Sequence, residues 1–296
     1  MSPSITVVAL GGNAVSPPAG DLSIAAERPM IAHAISEMGC LAETGERLLV
    51  VHGNGPQVGR LLAAHGGGDG LDVHVAQSQG ELGYLLAEGL DRRLGGTPAV
   101  AVVTRTIVDA NDPAFQAPDK PIGAIAAAPG QTGTWRPAPD GRGWRQVVAS
   151  PRPRGVLEVD AIRALLASRH VVAGGGGGVA IAGSGPDRSA PPAVVDKDWV
   201  ASWLAVTLNA DRLIFVTDVL HVFDGFGSSR AEPIASLSLA CARQRLAQGV
   251  FAPGSMAPKI EAAVLYSEAT GRPALIAGLG SLAAALTGTG GTTIHR

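Results

Sequence analysis

Three apolar runs in this chain end on glycine. Ile5–Leu10 runs into Gly11-Gly12-Asn13, Arg47–His52 into Gly53-Asn54-Gly55, and Val171-Val172-Ala173 into the five glycines Gly174–Gly178. A glycine at the end of a strand lets the backbone approach a ligand closely, and a helix opening just beyond it aims free N–H groups at an anion. Pro29 and Pro56 fit first-turn helix positions, where a missing N–H costs nothing. Further strands are expected at Ala99–Thr104, Arg212–Thr217 and Pro273–Ala277, and helices at 30–45, 56–65, 77–95, 159–169, 197–210, 256–270 and 281–287. Strands alternating with helices predict an α/β protein with a mostly parallel sheet covered on both faces. In such sheets ligands bind beyond the carboxyl ends of the strands, where these glycine turns fall.

Two stretches break the alternation. Asp109–Trp144 is rich in Pro, Gly and polar residues, lacks clear periodicity and is too long for an ordinary loop, so it reads as an insertion projecting from the sheet as a lid. Gly183–Pro192 reads as a turn-rich link between two lobes. A length of 296 residues suits one large α/β domain or two such lobes.

The glycines do not spell a dinucleotide site. Gly53-x-Gly55 is followed by Pro-Gln-Val-Gly59, one residue out of step with G-x-G-x-x-G, and no acidic residue ends a strand at the required distance. A Gly-Lys-Ser/Thr phosphate loop is absent as well. The first turn carries no cation, so positive charge for an anion has to come from elsewhere.

Lysine is the scarce residue here. Of 23 basic residues only Lys120, Lys197 and Lys259 are lysines, and the rest are arginine. Arginine serves equally well for surface charge, whereas a compact ammonium differs from a planar fork where one phosphate oxygen must be met. Lys120 lies in the insertion, Lys197 sits between Asp196 and Asp198, and Lys259 follows Gly254-Ser255 at the start of a helix. The expected site is therefore glycine amides holding an anion, with lysines from distant segments bringing the charge.

A net charge of −2, scattered without basic runs, argues against a nucleic-acid or membrane-surface partner. Cys40 and Cys241 are too few and too far apart for a disulfide framework or metal clip, and read as buried small hydrophobes in a reducing compartment. No apolar segment approaches the ~20 residues of a membrane span. Without a basic leader at its start, the chain reads as cytoplasmic. None of the histidines has metal-ligand spacing, and His52, beside the second turn, reads as shaping its loop.

In order along the chain, LGGNA, VHGNGPQVG, SQGELGY, DPAFQAPDKPIG, GRGWRQVVASPRP, GGGGGV, VVDKD and FAPGSMAPKIEA resemble the carbamate kinases of the amino acid kinase family. The resemblance implies a three-layer αβα sandwich forming a single domain over 1–296. Residues 1–185 would be the carbamate lobe, including a lid at about 109–150, and 186–296 the nucleotide lobe. It implies reversible phosphoryl transfer between ATP and carbamate, giving ADP and carbamoyl phosphate. Mg2+ would arrive with ATP or ADP on the phosphates, with no metal site of the protein's own, and the enzyme would be a cytoplasmic homodimer with the 77–95 helix as one contact.

Carried over by position, Gly11, Gly12, Asn13, Gly53, Asn54 and Gly55 would cradle carbamate and the moving phosphoryl group, and Gly175 and Gly176 would line the phosphate path. Lys197 and Lys259 would bridge the nucleotide phosphates, with Asp198 orienting them or binding a Mg2+-coordinated water. Thr217 and Asp218 would end the nucleotide-lobe strand, Met256 would lie near adenine or ribose, and Lys120 would replace the lysine that relatives of the fold carry at the position of Ala9. A short insertion between Gly123 and Gly141, Asp119 in place of threonine and Ala149 in place of proline depart from the family pattern and bear on turnover. Two alternatives stay open: a related kinase acting on another small carboxylic acid, and a catalytically silent binder of nucleotide or carbamoyl phosphate.

Overall fold

The computed structural model describes residues 3–17, 23–42, 45–65, 70–138, 141, 143–228 and 230–296. The end of the predicted 30–45 helix and Arg142 of the GRGWRQ stretch therefore fall partly or wholly outside the described residues.

An eight-stranded sheet runs through the molecule. Its strands are β1 (Ile5–Leu10), β2 (Arg47–His52), β3 (Val100–Ala101), β9 (Val171–Val172), β11 (Arg212–Thr217), β14 (Ser236–Ser238), β15 (Ala274–Gly278) and β16 (Thr292–His295). They lie in the order β14-β16-β15-β11-β1-β2-β9-β3, with β15–β16 the antiparallel pair and the others parallel. Every residue of β1 and β2 after the first is buried, as expected of strands covered on both faces. The helices are α1 (Ile24–Ala42), α2 (Gly55–His65), α3 (Leu71–Leu94), α4 (Val159–Leu166), α5 (Lys197–Thr207), α6 (Leu239–Ala247), α7 (Met256–Thr270) and α8 (Leu282–Leu286).

Two cores follow from the strand pleat. Val7, Ala9, Leu49, Val51, Leu213 and Phe215 point to one face, with α5 and α7. Val8, Leu10, Leu48, Val50, Ile214 and Val216 point to the other, with α1 and α3. A wholly buried leucine such as Leu49 contributes roughly 1.5–3 kcal/mol by leaving water. Residues on both sides of the 185/186 boundary share the first core, and β1 pairs directly with β11, so the sheet passes unbroken between the predicted lobes.

Smaller sheets stand beside this frame. β4 (Arg105–Val108) pairs with β8 (Pro153–Val156) and β10 (Val179–Ile181), and β12 (Val222–Asp224) forms a hairpin with β13 (Glu232–Ile234). The insertion is itself a sheet, in which β7 (Trp144–Val148) lies between β5 (Lys120–Ala126) and β6 (Thr134–Pro137). Ile122 and Val148 at its base pack with Val58, Leu62, Leu71 and Val75 of α2 and α3. This apolar footing fixes where the strand that begins with Lys120 is anchored.

Several local expectations change. α1 starts at Ile24, so Pro29 lies inside it rather than in its first turn. Ser23 opens the helix earlier, because its carbonyl accepts from the N–H groups of Ala26 and Glu27, and its hydroxyl also accepts from Ala26. The Ala99–Thr104 strand shrinks to β3, since Thr104 turns away to bond Gln79. The turn-rich Gly183–Pro192 stretch folds back on itself, with Ala182 and Ser189 exchanging main-chain hydrogen bonds. Both cysteines are half-buried rather than buried, at the margins of the two cores.

Candidate active site

The glycine turns meet at the carboxyl ends of the central strands. Gly11 N–H donates to Val216 O and Gly53 N–H to Leu10 O, each at 3.0 Å, so the turns continue the register of β11, β1 and β2. A Cβ on Gly53 would lie 3.0 Å from the main-chain nitrogen of Gly12, so any larger residue would push the two loops apart by a few tenths of an ångström. Gly176 has φ +62° and a Cβ there would overlap the Asn54 side chain. The third turn thus closes on the second.

The loops are held from behind. Asn54 Nδ2 donates to Ser78 Oγ at 2.8 Å, and Gln79 Oε1 accepts from the Thr104 N–H and hydroxyl at 2.9 and 2.8 Å. Thr104 Oγ1 in turn accepts from Gly174 N–H at 3.1 Å. Gln57, wholly buried, donates to Ser16 Oγ at 2.6 Å and to Glu27 Oε1 at 2.8 Å, joining the segments after the first two turns to α1. The SQ of SQGELGY and the Q of HGNGPQVG are therefore scaffolding for the loops.

All three lysines reach one cavity of about 520 Å³. Lys197 Nζ donates to Asp198 Oδ1 at 2.7 Å, and Lys259 Nζ to Asp198 Oδ2 at 3.0 Å. Lys120 Nζ crosses from the insertion to Asp196 Oδ2 at 2.7 Å. The other oxygen of Asp196 accepts from Asp198 N–H at 2.9 Å, capping α5 and turning the VVDKD stretch so that Asp198 lies under both helix lysines. An ammonium carries three donors, so each lysine keeps at least one beyond these bonds.

Electrostatics follow from this geometry. Burial alone would raise the Asp198 carboxyl, but the Lys197 and Lys259 charges outweigh it and bring it down to about 2. Burial also pushes Lys197 down, opposed by Asp198 and reinforced by the Lys259 charge. For Lys259 burial acts downward too, yet Asp198 wins and its ammonium is stabilised. Asp218, held below its ordinary value against the pull of burial, accepts from Asn13 Nδ2 at 2.9 Å and Thr217 Oγ1 at 3.1 Å.

Gly11, Gly12, Asn13, Gly53, Asn54, Gly55 and Gly176 line the cavity, as do Lys120, Lys197, Asp198, Thr217, Asp218, Met256 and Lys259. Gly175 is not brought there: it is buried one residue behind the wall, packed against His52 and Gln79. Sequence reasoning passed over Asp196, the partner of Lys120, although an aspartate just before a helix is a capping signal. Also passed over were Arg145 and an apolar wall of Phe223, Phe226, Val250 and Phe251, for which the aromatics flanking glycine in VFDGFG were the available signal.

His52 is buried and its Nδ1 lies 2.9 Å from Gly53 O. Burial pushes the imidazole down to about 4, with the Gly53 hydrogen bond opposing and the Lys197 charge adding to the fall. The ring is neutral at pH 7 and Nδ1 donates to the carbonyl. The unfolded chain, with an ordinary value of 6.5, binds more protons below that pH, so stability is lost as pH drops from 6.5 towards 4. The loss is about 3 kcal/mol from this group. Urea unfolding at pH 7 and pH 4.5 is expected to show a smaller difference for His52→Gln than for wild type; equal pH slopes would contradict a neutral buried imidazole.

The amino acid kinase family model matches residues 4–278. The carbamate kinase of Halobacterium salinarum is 39% identical, with 98% of each chain covered. That of Escherichia coli (strain K12) is also 39% identical, covering 97% of this chain and 98% of its own. Among solved structures, carbamate kinase from Giardia lamblia bound to AMP-PNP superposes with a TM-score of 0.89 at 33% identity, covering 99% of this chain and 98% of that one. Sequence, fold and a lysine-lined cavity beneath glycine turns agree, and the chain belongs to the amino acid kinase family and, within it, to the carbamate kinases.

Proposed function

We propose that this chain transfers a phosphoryl group reversibly between ATP and carbamate, forming ADP and carbamoyl phosphate, and that it runs towards ATP in the breakdown of arginine or carbamoyl compounds. The observation that carries this reading is the convergence of Lys120, Lys197 and Lys259 on Asp196 and Asp198 in the cavity that the glycine turns line.

Phosphoryl transfer asks a protein for in-line placement and neutralisation of charge, with little covalent chemistry. Main-chain N–H groups of Gly12, Asn13, Asn54 and Gly55, the last at the start of α2, hold carbamate and the moving group, while those of Gly11 and Gly53 continue the strand ladders. Lys197 and Lys259 take the nucleotide phosphates, Asp198 keeps their ammonium groups aimed, and Lys120 adds charge from the insertion. Phe223, Val250, Phe251 and Met256 offer the base an apolar wall. Carbamate attacks already ionised, so no general base is needed, and His52 stays neutral behind its loop. Among the described residues no three or more His, Cys, Asp or Glu side chains are grouped as a metal cage. A Mg2+ ion brought by the nucleotide would rest mainly on phosphate oxygens and offset their charge. No helix of the described residues is long and apolar enough to cross a membrane. The reading takes the protein as a cytoplasmic homodimer with α3 at the contact.

Incubating the protein with Mg-ADP and carbamoyl phosphate or acetyl phosphate, and measuring ATP, tests this. ATP from carbamoyl phosphate in preference to acetyl phosphate is expected. The reverse preference would favour another acyl-phosphate kinase, and no ATP from either a silent binder. Lys120→Ala should lower turnover by about 10²-fold, the scale for losing one donor aimed at the transition state. ADP affinity, measured by calorimetry, should stay within about twofold, because tenfold corresponds to a lost contact of about 1.4 kcal/mol. A large loss of ADP binding would contradict the placement of Lys120 on the acceptor side.

A further inference from the structure

One side chain outside the cavity joins the insertion to both helices that bear the nucleotide-side lysines. Arg152 follows β7 by a few residues, where the chain leaves the insertion. Its main-chain N–H donates to Asp112 Oδ2 at 3.0 Å, and Asp112 Oδ1 accepts from Ala114 N–H at 2.9 Å. The entry and exit of the insertion are thus pinned together at this residue. The Arg152 guanidinium lies 3.4 Å from the centroid of the Trp199 ring and donates to Glu261 Oε2 at 2.6 Å. Trp199 is two residues past Lys197 on α5, and Glu261 is two residues past Lys259 on α7.

We propose that Arg152 is a positioning residue that sets the insertion in register against α5 and α7, so that Lys120 meets Asp196 in the cavity. The claim rests on the reading of Lys120 given above. Geometry makes arginine the suitable residue, since its plane stacks on the indole while its fork reaches the carboxylate, and a lysine cannot do both. The Trp199 Nε1 is buried without a hydrogen-bond partner, so the ring is oriented by what packs on it, not by its own N–H. The Arg152 side chain is 46% exposed, which screens its ion pair and makes it a weak contributor to overall stability. What remains is registry. The Asp198 network holds α5 to α7 without Arg152, so losing the arginine loosens the insertion and leaves the nucleotide lysines in place.

The test uses the full chain with Arg152→Met and Arg152→Lys, each in wild-type and Lys120→Ala backgrounds. Arg152→Met is expected to lower kcat/KM for carbamoyl phosphate about tenfold, from a stacking contact and an ion pair of ordinary strength. ADP affinity should be unchanged, and Arg152→Lys should recover only part of the loss. On Lys120→Ala the same substitution should cost less than about twofold, because a residue acting through Lys120 has nothing left to position. Amide hydrogen exchange over 113–138 should quicken while α5 and α7 keep their protection. Multiplying losses in the double variant, a matching fall in ADP affinity, or unchanged exchange in the insertion would each overturn the proposal. If the wild-type chain makes no ATP, the functional reading fails instead, and the exchange comparison alone decides the role of Arg152.

Discussion

Lys259→Met should cut ATP formation from Mg-ADP and carbamoyl phosphate by about 10²–10³-fold, corresponding to roughly 3–4 kcal/mol of lost transition-state stabilisation. Methionine fills much of the same space, so the change isolates the charge. The fold should survive, because Asp198 keeps Lys197 at 2.7 Å and α7 stays packed through Ile260, Ala263 and Tyr266. The effect belongs in turnover as well as in nucleotide binding, since charge spreads onto the equatorial oxygens as the phosphoryl group moves. Single-turnover rates at saturating ADP check this. Wild-type turnover in this variant would remove Lys259 from the mechanism.

Asp198→Asn should have the largest effect on stability. The carboxylate is the shared partner of two largely buried ammonium groups, and removing it leaves Lys197 and Lys259 facing each other with Asp196 and Asp218 as nearby counter-charge. Breaking a buried pair in this way costs about 3–5 kcal/mol. The sign of the pH dependence follows. Without Asp198 the folded-state pKa of Lys197 falls further below its unfolded value of 10.5, so the penalty shrinks as pH rises towards that value. A polyphosphate supplies the missing negative charge, so Mg-ATP should raise the melting temperature of the variant more than that of wild type. Thermal melts at pH 7 and pH 9.5, with and without nucleotide, test both statements. A variant as stable as wild type at pH 7 would mean that the two ammonium groups do not depend on Asp198. In wild type the contribution of this carboxylate is present above its ordinary value of 3.8 and is lost as pH falls towards 2.

Much of the frame was legible in the residues. β1, β2 and β11 fall where unbroken apolar runs placed them, and α7 spans the predicted 256–270, bounded by Gly254-Ser255 and Gly271. Such strands are buried on both faces, so their composition alone identifies them. The insertion was legible only as an interruption. Its three strands are mostly half-buried or exposed and carry no clean alternation, because only Ile122, Val147 and Val148 among their described side chains are buried. Pro29 misled because a proline usually marks a first turn, and here Ser23 starts the helix earlier.

The site divides along the same line. Scarcity singled out Lys120, Lys197 and Lys259, because a chain that uses arginine nearly everywhere else keeps lysine where a point charge matters. Glycine after a strand marked the turns, because local backbone geometry is written into local sequence. What the sequence left open was which carboxylate each lysine would meet. Asp198 takes two of them and Asp196 the third, across separations of 61 and 76 residues. Gly175 and Gly176 look alike in a run of five glycines, yet one packs behind the wall against His52 and the other lines the cavity.

By itself, then, the chain determined the order of six strands of the main sheet and of most of the helices beside them, the glycine turns at the strand ends and the identity of its point charges, since each depends on near neighbours and on burial. Only the tertiary structure decided the pairing of ammonium with carboxylate, the footing of the insertion on α2 and α3 and the stacking of Arg152 on Trp199. Those contacts join residues brought together by the packing of whole elements, and no local pattern carries the distance between them.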